Sequence, residues 1–298
     1  MVRSNIARKR HHSFLSRAGR KNQTRSVWGN LFIAMLLIIV GAFMALPLVY
    51  AILNSFKPIE ELFVYPPRFY VKRPVLSNYT MLFKLVNNLM VPFSRYIFNS
   101  VMVCIVLTVG QILIASAAAY TVSKYHTKLN WVFHVVVIAL LFNGTVLAIP
   151  QYIILNSFRL INTPFAYILP SLASALGLFL MKQFIDQVPD ALLEAAKIDG
   201  ANHYQTFWRI IMPSVKPAWL TLLIFSFQAI WSKSGGSIIY NEELKLLPDA
   251  ISQVISGSLE RQGVSVAGSV LLILPPILLF VLSQSNVIET MTSSGIKE

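Results

Sequence analysis

Acidic residues are scarce in this chain: 12 Asp and Glu stand against 25 Lys and Arg among 298 residues, a formal net charge of +13. Charged residues of both signs make up only 12% of the sequence, where a soluble domain carries about 25%. A single cysteine, Cys104, excludes an internal disulfide framework, and its apolar surroundings mark a buried, inert thiol. No Gly-Lys dipeptide occurs, so the loop Gly-x-x-x-x-Gly-Lys-Ser/Thr is missing and ATP cannot be held that way. No His-Glu-x-x-His and no cysteine pair is present. No metal site and no catalytic residue are therefore assigned, and the chain is not expected to be an enzyme. His11 and His12 fall in a basic tail, and His134 lies in an apolar run where packing explains it more simply than proton relay.

Apolar sequence is abundant, at 55% of residues. A membrane-spanning helix needs about 20 mostly apolar residues. Six segments are assigned as spans: 27–53, 97–122, 131–149, 165–184, 218–231 and 264–282. Pro150, Pro164 and Pro170 leave the ends of the third and fourth open. The expectation is an all-α integral membrane protein, with one membrane domain over 27–286 and no internal repeat. The first run is too long for a signal-peptide core and lacks a small-residue cleavage site.

Residues 1–26 carry eight Lys and Arg and no acid. Such a flank holds a terminus in the cytoplasm, and it explains the net charge without a nucleic-acid partner. Six spans then bring the tail 287–298 back to the cytosolic side. In this orientation 15 basic residues face inward and 10 outward.

Outside, the segment Lys57 to Arg95 is rich in aromatics and prolines and is expected to form a small cap. Its Lys57, Arg68, Lys72, Arg73, Lys84 and Arg95 face only Glu60 and Glu61. A positive mouth attracts anionic cargo; the same charges would equally dock an acidic binding protein or touch lipid headgroups. Asn78-Tyr79-Thr80 matches a glycosylation sequon by coincidence. In the second outer stretch, Ser234-Gly235-Gly236-Ser237 forms a turn, and Leu246–Leu259 forms a short amphipathic helix.

Within the spans, polar residues are costly and face a cavity or a neighbouring helix. The notable ones are Gln111, Asn143, Ser174, Ser226 and Gln228. Phe227 and Trp231 stand beside the last two and suit stacking on sugar rings. A substrate pathway is thus assigned to Gln111, Asn143, Phe227, Gln228 and Trp231, with helix–helix hydrogen bonding as the competing explanation. The assigned spans contain no Asp or Glu, which counts against an ion-coupled secondary transporter.

The loop 185–217 is the richest segment. Pro189 suits the start of a helix, with Asp190 and Glu194 near its positive end. Gly200 suits a left-handed cap. Asn202 can cap a second helix through Trp208 and Ile211, which Pro213 and Pro217 end. Glu194-Ala195-Ala196, Gly200, Ile210 and Pro213 match in register the pattern Glu-Ala-Ala-x3-Gly-x9-Ile-x-Leu-Pro; only Met212 departs, at the Leu.

This pattern resembles the Glu-Ala-Ala loop of the membrane subunits of bacterial binding-protein-dependent ABC importers. Asn54-Ser55-Phe56-Lys57-Pro58, Asn78-Tyr79-Thr80, Phe98-Asn99-Ser100, Ala118-Ala119-Tyr120, Leu160-Ile161-Asn162-Thr163 and Ile273-Leu274-Pro275-Pro276 extend the likeness, in order, to the carbohydrate branch. Within that branch the chain is similar to the shorter, six-span subunit of the maltose importer. Arg159 departs where the branch often has Gly, and Ser232 where Asn is frequent; the ending Ser294-Gly295-Ile296-Lys297-Glu298 is only loosely similar.

The resemblance implies the type I ABC importer permease fold with a cytosolic coupling helix, in the bacterial cytoplasmic membrane. Glu194, Ala195, Ala196, Asp199, Gly200 and Ala201 would contact an ATPase subunit. Two such subunits would bind ATP and Mg, so this chain needs no cofactor. The other implied partners are a homologous second permease, and a periplasmic or lipid-anchored solute-binding protein. Cargo would be an oligosaccharide moved by alternating access, and the outer charge favours an acidic one such as alginate fragments. A permease of the same class for a non-sugar solute, or a secondary transporter, are the alternatives.

Overall fold

The computed structural model describes residues 27–125, 130–142, 144–236, 238–256 and 261–294. The basic N-terminal tail, Asn143, Lys128, Ser237, Leu259 and the last residues of the C-terminal tail lie outside them. Among the described residues there is no β-strand. By its internal contacts the chain divides into two units, residues 1–50 and 51–298.

The first unit contains most of α1 (Val27–Ser55). Its side chains from Trp28 to Val49 are exposed all round, as suits a helix surrounded by lipid. Among the described residues four helices are long and apolar enough to cross a membrane: Trp28–Ser55, Phe93–Lys124, Phe165–Asp186 and Gln262–Gln284; counting the bent pair His203–Ser214 with Lys216–Trp231 as one span gives five.

The third assigned span, 131–149, is not one helix. It is divided between α5 (Asn130–Ala139) and α6 (Gly144–Ser157). α5 winds down through tight bonds from Leu140, Leu141 and Phe142 to the carbonyls three residues back, the pattern of a closing 3₁₀ turn. Asn143-Gly144, a turn signal, follows at once. The fourth span is also interrupted, into α7 (Phe165–Leu172) and α8 (Ala175–Asp186), with Ser174 capping α8 through Gly177 N. The sixth runs on as α14 (Gln262–Ser294), so the helix continues into residues 287–294.

In the second unit, α4 (Phe93–Lys124) is the central post. It packs on α7, α8 and α12 (Lys216–Trp231), and α12 packs on α14. Ala115, Ser116 and Ala119 on α4 are buried; small residues let membrane helices approach closely. One apolar cluster joins Cys104, Leu107, Tyr167, Trp231 and Ile251. A second joins Ala119, Met181, Ile185, Ile211 and Leu222 at the other end of α4.

The segment expected to form a cap folds around α2 (Ile59–Leu62) and α3 (Ser77–Asn87). Two of the sequence motifs dock there. Asn78 Nδ2 donates to the carbonyls of Ser55 and Lys57, at 2.8 Å each, and Tyr79 Oη donates to Ser55 Oγ at 2.8 Å. The sequon Asn78 is thus buried and used. Lys57, counted above as part of the positive mouth, is 2% exposed and its ammonium donates to Arg68 O at 2.5 Å. Arg68, Lys72, Arg73, Lys84 and Arg95 remain exposed.

Candidate functional site

The loop between α8 and α12 starts with α9 (Asp190–Ile198), preceded by Pro189 in extended conformation. Lys124, at the end of α4, ties down its start: the ammonium reaches Asp190 Oδ1 at 2.8 Å and Val188 O at 2.6 Å. At the far end Gly200 takes φ +79°. Gly200 N donates to Lys197 O at 3.1 Å and Ala201 N to Ala196 O at 2.9 Å, the paired bonds of a Schellman cap. Asn202 then opens α10 (His203–Thr206) with a reciprocal capping box: Gln205 N to Asn202 Oδ1 at 2.8 Å, and Asn202 N to Gln205 Oε1 at 2.9 Å.

The second helix does not stop at Pro213. It widens into a π-turn at Phe207–Ile211, continues as α11 (Met212–Ser214), then bends by 78° into α12. Proline has no N–H and its ring crowds the carbonyl four residues back. The ladder adjusts one residue earlier, where Met212 N bonds to Phe207 O. Pro217 sits inside the first turn of α12.

Glu194, Ala195, Asp199 and Gly200 are exposed and Ala201 is half-buried, but Ala196 is 6% exposed and packs toward the body. Large apolar side chains stand out beside them: Ile198 is 86% exposed, Tyr204 72%. Behind α9 lies a cavity of ≈ 330 Å³ lined by Tyr120, Lys124, Tyr125, Glu194, Lys197 and His203, among others. A Tyr120–Tyr125–His203 chain of hydrogen bonds, 3.1 and 2.5 Å, forms part of its wall. The loop is thus an anchored platform with an exposed short helix.

The residues assigned to a substrate pathway fall in two groups. Gln111 is buried, and its Nε2 donates to Ser171 O at the α7–α8 interruption. That carbonyl has lost its helical partner, and in a membrane such groups must be satisfied internally. Trp231 is 6% exposed; its indole N–H donates to Leu272 O at 3.0 Å, and Phe227 stacks on it at 5.5 Å. Leu272 O lies four residues before Pro276 and is freed by it. In this conformation Trp231 therefore serves packing. Gln228 is exposed.

Sequence reasoning missed what surrounds them. The Asp249 carboxylate, at the start of α13 (Leu247–Ile255), is 6% exposed. It accepts from Tyr167 Oη at 3.1 Å, Gly235 N at 2.9 Å, Leu246 N at 3.2 Å and the Ser234 hydroxyl. Lys233, just before this pinned turn, donates to Ser171 Oγ at 2.6 Å. Burial pushes its ammonium pKa below the ordinary lysine value. An acid at the first turn of an amphipathic stretch and a lone lysine before Gly-Gly were the available signals.

Residues 111–293 match the family described as binding-protein-dependent transport system inner membrane component. The chain belongs to that family. The permease is 32% identical over 207 residues to Protein LplC of Bacillus subtilis, covering 67% of this chain and 66% of that protein. It is 27% identical over 266 residues to the arabinooligosaccharides transport system permease protein AraQ of Halalkalibacterium halodurans, covering 86% and 92%. In fold it is similar to a chain from the crystal structure of a bacterial ABC transporter involved in the import of the acidic polysaccharide alginate. The TM-score is 0.68 at 19% identity, with 88% of this chain and 98% of that one covered. The permease is a multi-pass membrane protein of the ABC importer fold, and its family is one of transport components rather than enzymes.

Proposed function

We propose that this permease is one half of the membrane channel of an ATP-driven oligosaccharide importer. It pairs with a homologous second permease. Two ATPase subunits dock on the loop between α8 and α12, which places that loop and both termini in the cytosol. A solute-binding protein docks on the opposite face and delivers the cargo. ATP and Mg belong to the ATPase subunits, and this chain carries no cofactor. Closure of the ATPase pair moves α9, and the 78° bend carries that motion into α12.

One observation carries the reading: α9 is a short, capped, exposed helix on an anchored loop, flanked by exposed Ile198 and Tyr204. Exposed apolar groups rimmed by polar ones suit a protein partner. The relatives support a sugar cargo, since AraQ is named for arabinooligosaccharides. The exposed basic residues of the outer cap support an acidic one.

The test is coexpression with the neighbouring transporter genes and purification. The permease alone should hydrolyse no ATP. Glu194→Lys should lower recovery of the ATPase subunit, because the reversed charge leaves a partner charge unmatched at the interface. Full recovery together with parental uptake would remove α9 from the docking surface.

A further inference from the structure

Lys233 is held more firmly than an ordinary loop lysine. On one side its N–H continues the end of α12, donating to Ile230 O at 3.0 Å. On the other, Ser234 and Gly235 are fixed to the buried Asp249. Its side chain turns inward, against Ser171 on α7. There it stands between two cavities, of ≈ 400 Å³ and ≈ 520 Å³, and lines both. Ligand pockets span about 300–1,000 Å³. Gln111, Ser171 and Ser174 add polar groups to the first cavity, Gln151 and Tyr152 to the second.

Among the described residues no acid lines either cavity. Asp249, close in the chain, already has its oxygens filled by Tyr167, Ser234, Gly235 and Leu246. A cation drawn partly out of water, with only a hydroxyl for company among the described residues, is costly unless an anion joins it. The shifted ammonium pKa follows from that desolvation. Structural needs do not explain the charge, because Ser171 Oγ can be satisfied by a neutral donor.

We propose that Lys233 is the carboxylate-binding residue of the translocation pathway, receiving the uronate groups of an acidic oligosaccharide as they pass between the two cavities. This rests on the oligosaccharide-importer reading above and specifies its cargo. The exposed cationic cap would gather the anion, and Lys233 would be the half-buried cation it next meets.

The experiment uses the assembled complex in vesicles, with its solute-binding protein saturated, so that differences arise in translocation. The probe is a guluronate tetrasaccharide, and uptake is normalised to the amount of assembled complex. Lys233→Gln should cut its uptake about tenfold to a hundredfold, the equivalent of one charge-assisted hydrogen bond. Lys233→Arg should stay within about threefold of the parent, since it keeps the charge. A neutral tetrasaccharide of equal length serves as the second probe.

Parental guluronate uptake by Lys233→Gln would overturn the proposal and leave the importer reading intact. Equal losses in Lys233→Gln and Lys233→Arg would assign the residue to packing. Loss of the second permease from Lys233→Gln preparations would make Lys233 an ion-pair partner of that subunit. A parent complex that takes up only the neutral probe would overturn the acidic-cargo reading itself, and this inference with it.

Discussion

Gly200 offers a test in which backbone conformation alone sets the order of outcomes. Its φ is +79°, and a Cβ built there would meet nothing within 4 Å. Side-chain bulk is therefore irrelevant in the isolated permease, and only the left-handed backbone matters. An L-residue with a Cβ pays about 1–2 kcal/mol to hold that conformation, a factor of roughly 5–30 in the population of the capped turn. Asn tolerates the left-handed region far better than Ala, and a β-branched Val worse. Losing the turn also releases the Gly200–Lys197 and Ala201–Ala196 bonds, worth about 0.5–1.5 kcal/mol each where water does not replace them. The variants Gly200→Asn, Gly200→Ala and Gly200→Val should thus fall in that order, Asn closest to the parent. Two measurements read it. The rate of limited trypsin cleavage at the exposed Lys197 should rise as the last turn of α9 frays, by about 5–30-fold for Ala. ATP-driven uptake should decline in the same sequence while membrane insertion is unchanged. If Asn and Val behave alike, or if the order follows side-chain volume, the cap is not what Gly200 supplies.

Gly235→Ala should destabilise the fold by about 2–5 kcal/mol, as overpacking plus a lost buried hydrogen bond. Its Cβ would fall 2.2 Å from Tyr167 Oη, which holds Asp249. A melting temperature in detergent within a degree of the parent would show that the Asp249 cluster yields without cost. At Arg159, φ is +55° and the end of α6 carries the same paired bonds as Gly200, Arg159 N to Asn156 O and Leu160 N to Leu155 O, each 2.9 Å. Arg159→Gly should raise stability by up to about 1 kcal/mol, the left-handed strain less the backbone entropy of Gly, while Arg159→Val should lower it; identical melting of the two would refute this.

That second cap shows how far the sequence can be taken. Arg159 departs from a resemblance in which Gly is often found, and in this chain the helix ends there in a left-handed residue, a conformation that favours Gly. The departure was visible in the sequence, but its meaning was not, because an Arg gives no sign of positive φ. The helix-turn-helix at 189–211 was legible because each signal is local: Pro before α9, Gly after it, and Asn202 to cap the next helix, to which the structure adds Gln205 as the other half of a box. The broken third span was not legible in its hydropathy, because the window from 131 to 149 stays apolar enough to span despite the Asn143-Gly144 turn signal within it, while the backbone turns at 140–142. Hydropathy measures what lipid tolerates and is blind to where hydrogen bonds stop. The Asp249 cluster was hidden for a different reason. It joins residues 167, 234–235 and 246–249, and no local pattern announces a contact across more than 80 positions.

The interruptions and the polar side chains explain one another. A bilayer core offers no water to a freed carbonyl. Pro276 frees Leu272 O, and Trp231 takes it; the α7–α8 break frees Ser171 O, and Gln111 takes it. Pro213 removes a donor, and the helix answers with a π-turn. Two residues whose chemistry suggested contact with sugar are thereby committed to the backbone in this conformation. Subtracting such commitments is a way to find function in a membrane bundle: what remains polar after the backbone is satisfied needs another reason to be there. By that criterion Gln111 and Trp231 give up their claim as the first contacts to test. Lys233 keeps one, because among the described residues its ammonium meets only the Ser171 hydroxyl, an acceptor that no backbone defect created and that requires no charge.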